Sequence, residues 1–99
     1  MEKLEKEIEA KLRAAVESRG GLCLKWVCPG WAGVPDRIVL LPGGRILFVE
    51  TKRPKGGRMS SLQVWWGRKL TQLGFKWYTV WSEQDVEKLK AVMDKAVQT

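Results

Sequence analysis

Asp36, Glu50 and Lys52 are the side chains of this 99-residue sequence best placed to do chemistry together. Glu50 and Lys52 end the run Ile46-Leu47-Phe48-Val49-Glu50-Thr51-Lys52, whose apolar part reads as a strand passing through a core. Strand interiors disfavour Glu and Lys, and a charge removed from water is costly unless something pairs with it. Asp36 stands just before the preceding apolar run, Arg37 to Leu41. If Pro42-Gly43-Gly44 is a three-residue turn, Leu41 pairs with Arg45 and Asp36 comes to face Glu50. Directly opposed residues project from one face of a sheet, and Lys52 shares that face by the two-residue alternation of strands. A two-residue turn would put Asp36 and Glu50 on opposite faces unless a bulge restored them.

Two like charges opposite one another repel, so the arrangement asks for a cation between them. Carboxylate oxygens suit hard divalent ions such as Mg²⁺ or Mn²⁺. Such an ion polarises a phosphoryl oxygen and lowers the pKa of water, and Lys52 could orient that water or stabilise developing negative charge. The plainer alternative is an Asp36–Lys52 or Glu50–Lys52 salt bridge at a sheet edge.

The rest of the chain must position these groups. With 44% apolar and 29% charged residues, it has the composition of one ordinary globular domain spanning residues 1–99. It has no long uncharged apolar stretch, so no transmembrane helix is expected. The opening MEKLEKEIEAKL alternates acids and bases, unlike a signal or transit peptide, so the mature chain is expected to start where its gene does and to stay in the cytoplasm. The chain has no histidine and two cysteines, Cys23 and Cys28. It therefore cannot build a four-ligand zinc site alone, and both cysteines are expected to be reduced thiols. The net charge of +7 suits a polyanion, nucleic acid before an acidic membrane surface.

Helical spacing of Leu4, Ile8, Leu12, Ala15 and Val16, stopped by Gly20-Gly21, predicts a first helix over 3–18. Strands are expected over 22–27, 37–41, 45–52 and 76–81, with a Pro/Gly-rich loop over 29–35. Ser60 reads as the N-cap of a helix running to Leu73, with Gly74 as its stop. Ser82 caps a last helix, with Asp85 at the capping-box position and Val86, Leu89, Met93 and Val97 as its stripe. The order is α-β-β-β-α-β-α, a small mixed sheet flanked by helices.

Gly33-Val34-Pro35-Asp36 followed by Glu50-Thr51-Lys52 resembles the PD-(D/E)xK signature of restriction-endonuclease-like nucleases. Together with the Gly-rich basic loop and Ser60-Ser61-Leu62-Gln63, it is similar to the VRR-NUC family, in particular its compact stand-alone phage and bacterial members. The resemblance runs over roughly residues 5–82 and implies the α/β fold of that family, an α-β-β-β-α-β core, to which the last helix is an addition. It implies that Asp36, Glu50 and the Thr51 carbonyl hold Mg²⁺ or Mn²⁺, that Lys52 is the catalytic lysine, and that Gln63 lies beside the site. It also implies a glutamate in the first helix. At about 100° per residue from Ile8, Glu5 falls near 60° and Glu9 near 100°, whereas Glu7 falls on the far side. Glu9 is the choice, with Glu5 open and surface charge as the plainer reading of both.

Arg53, Lys55 and Arg58 follow the catalytic strand on a loop loosened by Gly56 and Gly57, and could seat phosphates on either side of a cut. Lys25 could reach the scissile phosphate or remain an exposed strand lysine. Trp31 could stack on a base or shape the entrance. Trp66 shares a helix face with Leu62, Leu70 and Leu73, which predicts core packing. Val64 and Trp65 point away from that face, which suggests a protein interface. The expected function is a metal-dependent, structure-selective DNA endonuclease, a homodimer resembling Holliday-junction resolvases. A flap- or nick-directed nuclease and a non-catalytic nucleic-acid-binding module are the alternatives.

Overall fold

A computed structural model of the protein describes residues 5–53 and 55–98. Its elements are α1 (Glu5–Glu17), β1 (Leu22–Lys25), β2 (Arg37–Leu41), β3 (Arg45–Thr51), α2 (Ser61–Gln72), β4 (Lys76–Val80) and α3 (Glu83–Gln98). The order is the one read from the sequence, with ends one or two residues shorter; the expected helix start at residue 3, with Leu4, lies outside the described residues. Among the described residues, no helix is long and apolar enough to cross a membrane.

The four strands lie in the order β1-β2-β3-β4, antiparallel except for the parallel β3–β4 pair, which α2 connects. Gly43 and Gly44 both have positive φ, which only glycine adopts freely, and so close a three-residue turn between Leu41 and Arg45. Leu41 pairs with Arg45 and Arg37 with Val49, which leaves Asp36 and Glu50 as the next positions beyond the last pair.

Alternation then sorts the sheet into two faces. Cys23, Val39, Leu41, Leu47, Val49 and Val80 point to one side, where they meet Ile8, Leu12 and Val16 of α1 and Val86, Leu89 and Met93 of α3. Val97, expected in the α3 stripe, is exposed. Cys23 is buried and Cys28 half-buried, and both are free thiols, as expected. Burial raises the Cys23 thiol pKa, so it packs as a neutral group.

The other face departs from expectation. Of the predicted stripe on α2, only Leu70 is buried; Leu62 and Leu73 are exposed and Trp66 is half-buried. The physical reason is Gly67. Its missing side chain lets α2 sit directly on β4, where a Cβ would stand 2.4 Å from the Trp77 ring. The helix therefore packs through Gly67 and Leu70, and Val64, one turn before Gly67, is half-buried rather than pointing away. Gly67→Ala should destabilise the protein by about 1–3 kcal/mol through overpacking. Chemical unfolding would show this, and an unchanged midpoint would mean that α2 does not make this close approach.

Candidate active site

The end of the sheet near Asp36 is built by three local devices. Pro35 is fully buried and the Trp26 N–H donates to the Asp36 carbonyl at 2.9 Å, fixing the chain as it enters β2. Gly33, at φ 86°, lies so close to the start of α2 that a Cβ would stand 2.6 Å from that of Leu62. The Trp66 indole N–H donates to the Ala32 carbonyl at 3.0 Å, tying the 29–35 loop to α2. On the other side, the Lys52 N–H donates to the Val80 carbonyl at 2.9 Å, so the strand ladder holds the backbone past Glu50.

Within this frame Thr51 is a hub. Its N–H donates to Asp36 Oδ1 at 3.1 Å, and its hydroxyl lies 2.5 Å from Asp36 Oδ2 and 2.9 Å from Glu9 Oε1. A hydroxyl has one proton, so it donates to one of these two carboxylates at a time. Glu9 Oε2 accepts from Arg37 Nη2 at 3.2 Å. Three segments distant in sequence are thereby joined around one side chain: α1, the start of β2 and the end of β3.

Glu50 is only 4% exposed. Its ion-pair partner among the described residues is Lys52, whose Nζ stands 3.9 Å from Oε2. Burial, aided by the nearby charge of Asp36, pushes the Glu50 pKa up to about 8 despite Lys52. Burial also pushes Asp36 up to about 6, against the lowering effect of its Thr51 hydrogen bonds. Burial alone would raise Glu9 too, but its bonds from Thr51 and Arg37 outweigh that effect and hold it below the usual carboxylate value. Two acids are thus short of positive charge while the third is satisfied.

Among the described residues, no three Asp, Glu, Cys or His side chains form a closed cage for a metal. Asp36 and Glu50 are nevertheless a fitting donor set for Mg²⁺ or Mn²⁺. Both are oxygen ligands and both lack compensating charge, and Mg²⁺ is commonly held by one or two carboxylates together with water and substrate phosphate. The Thr51 carbonyl, at the strand position between Glu50 and Lys52, is the further donor expected.

The other expected residues are distributed as follows. Glu9 joins the site through Thr51 and Arg37. Glu5 is near enough for its charge to bear on Glu50. Gln63 is committed locally: its Oε1 accepts from the Ser60 N–H at 2.8 Å and its own N–H donates to the Ser60 hydroxyl, closing a capping box. Lys25 is exposed and paired in register with Arg37, at the site end of the sheet. Arg53, Lys55 and Arg58 are exposed just beyond Lys52, and Trp31 is exposed with its ring edge-on to Trp66. Trp65 is exposed and also packs edge-on against Trp66.

Sequence reasoning missed Arg37. The signal was present: Arg37 alternates with Val39 and Leu41, both core, so it points inward and needs an acid there.

No protein-family model matches the chain. A 50-residue segment is 52% identical to "Putative nuclease p44" of Acyrthosiphon pisum secondary endosymbiont phage 1, covering 50% of this chain. The match spans about half that protein's length, 54%. A solved structure described as a VRR_NUC domain superposes with a TM-score of 0.81 at 30% identity, over 86% of this chain and 91% of that one.

Proposed function

The chain belongs to the VRR-NUC domain family, and from that premise we propose that it is a single-domain, metal-dependent endonuclease that hydrolyses phosphodiester bonds of branched DNA in the cytoplasm. The observation that carries this reading is the pair of charge-deficient acids, Asp36 and Glu50, at one sheet end with Lys52 beside them. A salt bridge alone would explain Glu50 with Lys52, not a second largely buried acid, Asp36, near them.

Asp36, Glu50 and the Thr51 carbonyl would hold Mg²⁺ or Mn²⁺. When bound, the ion supplies positive charge opposite the phosphoryl oxygens and makes water easier to deprotonate. The chain's own groups do the rest. Lys52 Nζ, held against Glu50, donates to the attacking water or to the oxygen on which charge develops. Thr51 fixes the direction of Asp36 through its N–H, and its hydroxyl sits between Asp36 and Glu9 of α1. Arg53, Lys55 and Arg58 on one side, and Lys25 on the other, seat flanking phosphates, with affinity that falls as salt rises. Trp31 offers an exposed ring to an unstacked base.

A homodimer with paired sites fits a two-fold-symmetric four-way junction. The surface that supports it is broader than Val64 and Trp65. Because α2 covers β4, the β1–β2 part of the same face and the start of β3 are less covered: Leu22, Leu24 and Ile46 are 54%, 42% and 39% exposed, beside half-buried Ile38 and Leu40. These positions carry no charge, so two chains of net charge +7 could meet there without opposing cations. Leu24→Glu should shift sedimentation from dimer to monomer with the unfolding midpoint unchanged. A variant that stays dimeric would move the interface elsewhere, and Trp65→Gln would then test the helix edge.

The function itself is tested by incubating a labelled four-way junction, a flap and a linear duplex with Mg²⁺, Mn²⁺ or EDTA. Paired symmetrical cuts that vanish in EDTA are expected. Metal-dependent cutting of flaps alone would keep the nuclease and discard the junction. Binding without cutting under every metal would leave a nucleic-acid-binding module.

A further inference from the structure

We infer that Arg37 is a positioning residue of this site, acting through Glu9 to hold the Thr51–Asp36 pair in place. The inference rests on the nuclease reading for its effect on cleavage, but its geometry is independent of it.

Arg37 begins β2 immediately after Asp36 and, by alternation, points to the α1 side of the sheet, in line with Val39 and Leu41. A guanidinium is costly to place in such a row, and its side chain is largely buried there. Its Nη2 donates to Glu9 Oε2, while the other oxygen of the same carboxylate accepts from Thr51. Its Nε is buried and has no acceptor. The cation is therefore not satisfied as a structural ion pair would be, with two parallel bonds to one carboxylate. The carboxylate is instead divided between Arg37 and Thr51. That division sets the tilt of Glu9 and so the place of the Thr51 hydroxyl against Asp36. Without Arg37, Glu9 loses one of its two anchors and is free to turn out towards Lys6 and Arg13, which line the same groove of α1.

A role in binding substrate phosphate directly does not suit these atoms. The Nε has no access to solvent and the Nη2 is already engaged, whereas neighbouring Lys25 is exposed. Partners that orient metal ligands typically matter by 10–100-fold in metal affinity or activity.

The test compares wild type, Arg37→Met, Glu9→Gln and the double variant, with Arg37→Lys as the conservative change. Mn²⁺ affinity is read by calorimetry, kcat and KM on the preferred DNA, and DNA binding in EDTA. Arg37→Met should weaken Mn²⁺ binding and lower kcat by about 10–100-fold, with KM and EDTA binding unchanged. Arg37→Lys should recover part of the loss. In the Glu9→Gln background, Arg37→Met should cost little more, because Arg37 acts through Glu9. A full additional loss in that background would overturn the inference. So would a raised KM with weaker DNA binding in EDTA, which would make Arg37 a substrate contact. If the wild type cuts no DNA, the nuclease reading falls, and the same cycle in Mn²⁺ affinity still decides the role of Arg37.

Discussion

Glu50→Gln should abolish cleavage and, in metal-free buffer at pH 8, raise the stability of the fold. The two effects have one cause. Glu50 is buried with Asp36 nearby, and its ion-pair partner among the described residues, Lys52, stands 3.9 Å away, so its ionised form opposes folding. Glutamine keeps the size and one oxygen but removes that charge. It also removes half of the carboxylate pair on which the chemistry depends. A loss of at least about 10³-fold in kcat, equal to about 4 kcal/mol of barrier, is the expected scale. Asp36→Asn should lose a similar factor. The check is single-turnover cleavage beside urea unfolding of the same preparations. A Glu50→Gln protein that cuts normally would remove Glu50 from the site. One that unfolds would mean that the carboxylate holds the sheet end together, as the salt-bridge alternative requires.

The metal-free protein should lose stability as pH rises from about 4.5 to 8, and Mg²⁺ or Mn²⁺ should restore it. Glu50 and Asp36 have folded pKa values near 8 and 6, above their ordinary values of 4.5 and 3.8. In that interval the folded chain binds more protons than the unfolded one, so stability falls with rising pH. The fall begins as the unfolded carboxyls ionise and is complete once pH passes the folded value of Glu50. Glu9 works in the opposite sense: its lowered pKa contributes stability above its ordinary value, lost only as the solution becomes acidic. A loss of 1 kcal/mol lowers the Tm of a domain this size by about 4–8 °C, and a drop of at least that size is expected. A divalent ion that binds only the folded form should raise Tm more at pH 8 than at pH 5, because the carboxylates then have fewer protons left to release. Thermal scans at pH 5 and 8, with EDTA and with Mg²⁺, make the comparison. A Tm that is flat in pH and indifferent to metal would show that the two acids are compensated by something else.

Much of this arrangement was legible in the sequence because the relevant signals are local. The glycines at 43 and 44 set the turn length, the turn length sets the register, and the register brings Asp36 and Glu50 to one end of the hairpin. Helical spacing favoured Glu9 over Glu7 for the same reason, and Glu9 bonds to Thr51 and Arg37. What was not legible depends on how closely two elements approach. A helical wheel treats Leu62, Trp66 and Leu73 as the best core face of α2. It gives no weight to Gly67, whose contribution is the absence of atoms against Trp77. Gln63 was likewise readable as a site residue or as the far end of a capping box, and the cap is the contact it makes. Arg37 was passed over because a charged residue at a strand start looks like a boundary, although its row in the strand is the core row.

The turn at residues 42–44 has a kinetic consequence. β2 and β3 are joined by the shortest connection in the sheet, so their ladder can zip from Leu41–Arg45 towards Arg37–Val49 on the microsecond scale of hairpins. Asp36 and Glu50 sit at the mouth, the last rung to close. α1 and the parallel strand β4 arrive from farther along the chain and must wait for larger loops to be closed. The carboxylate pair therefore meets before Glu9 of α1 can anchor it. An early hairpin carries its two acids at a frayed, water-filled end, and their burial, with the repulsion that comes with it, is deferred to the docking of the flanking elements.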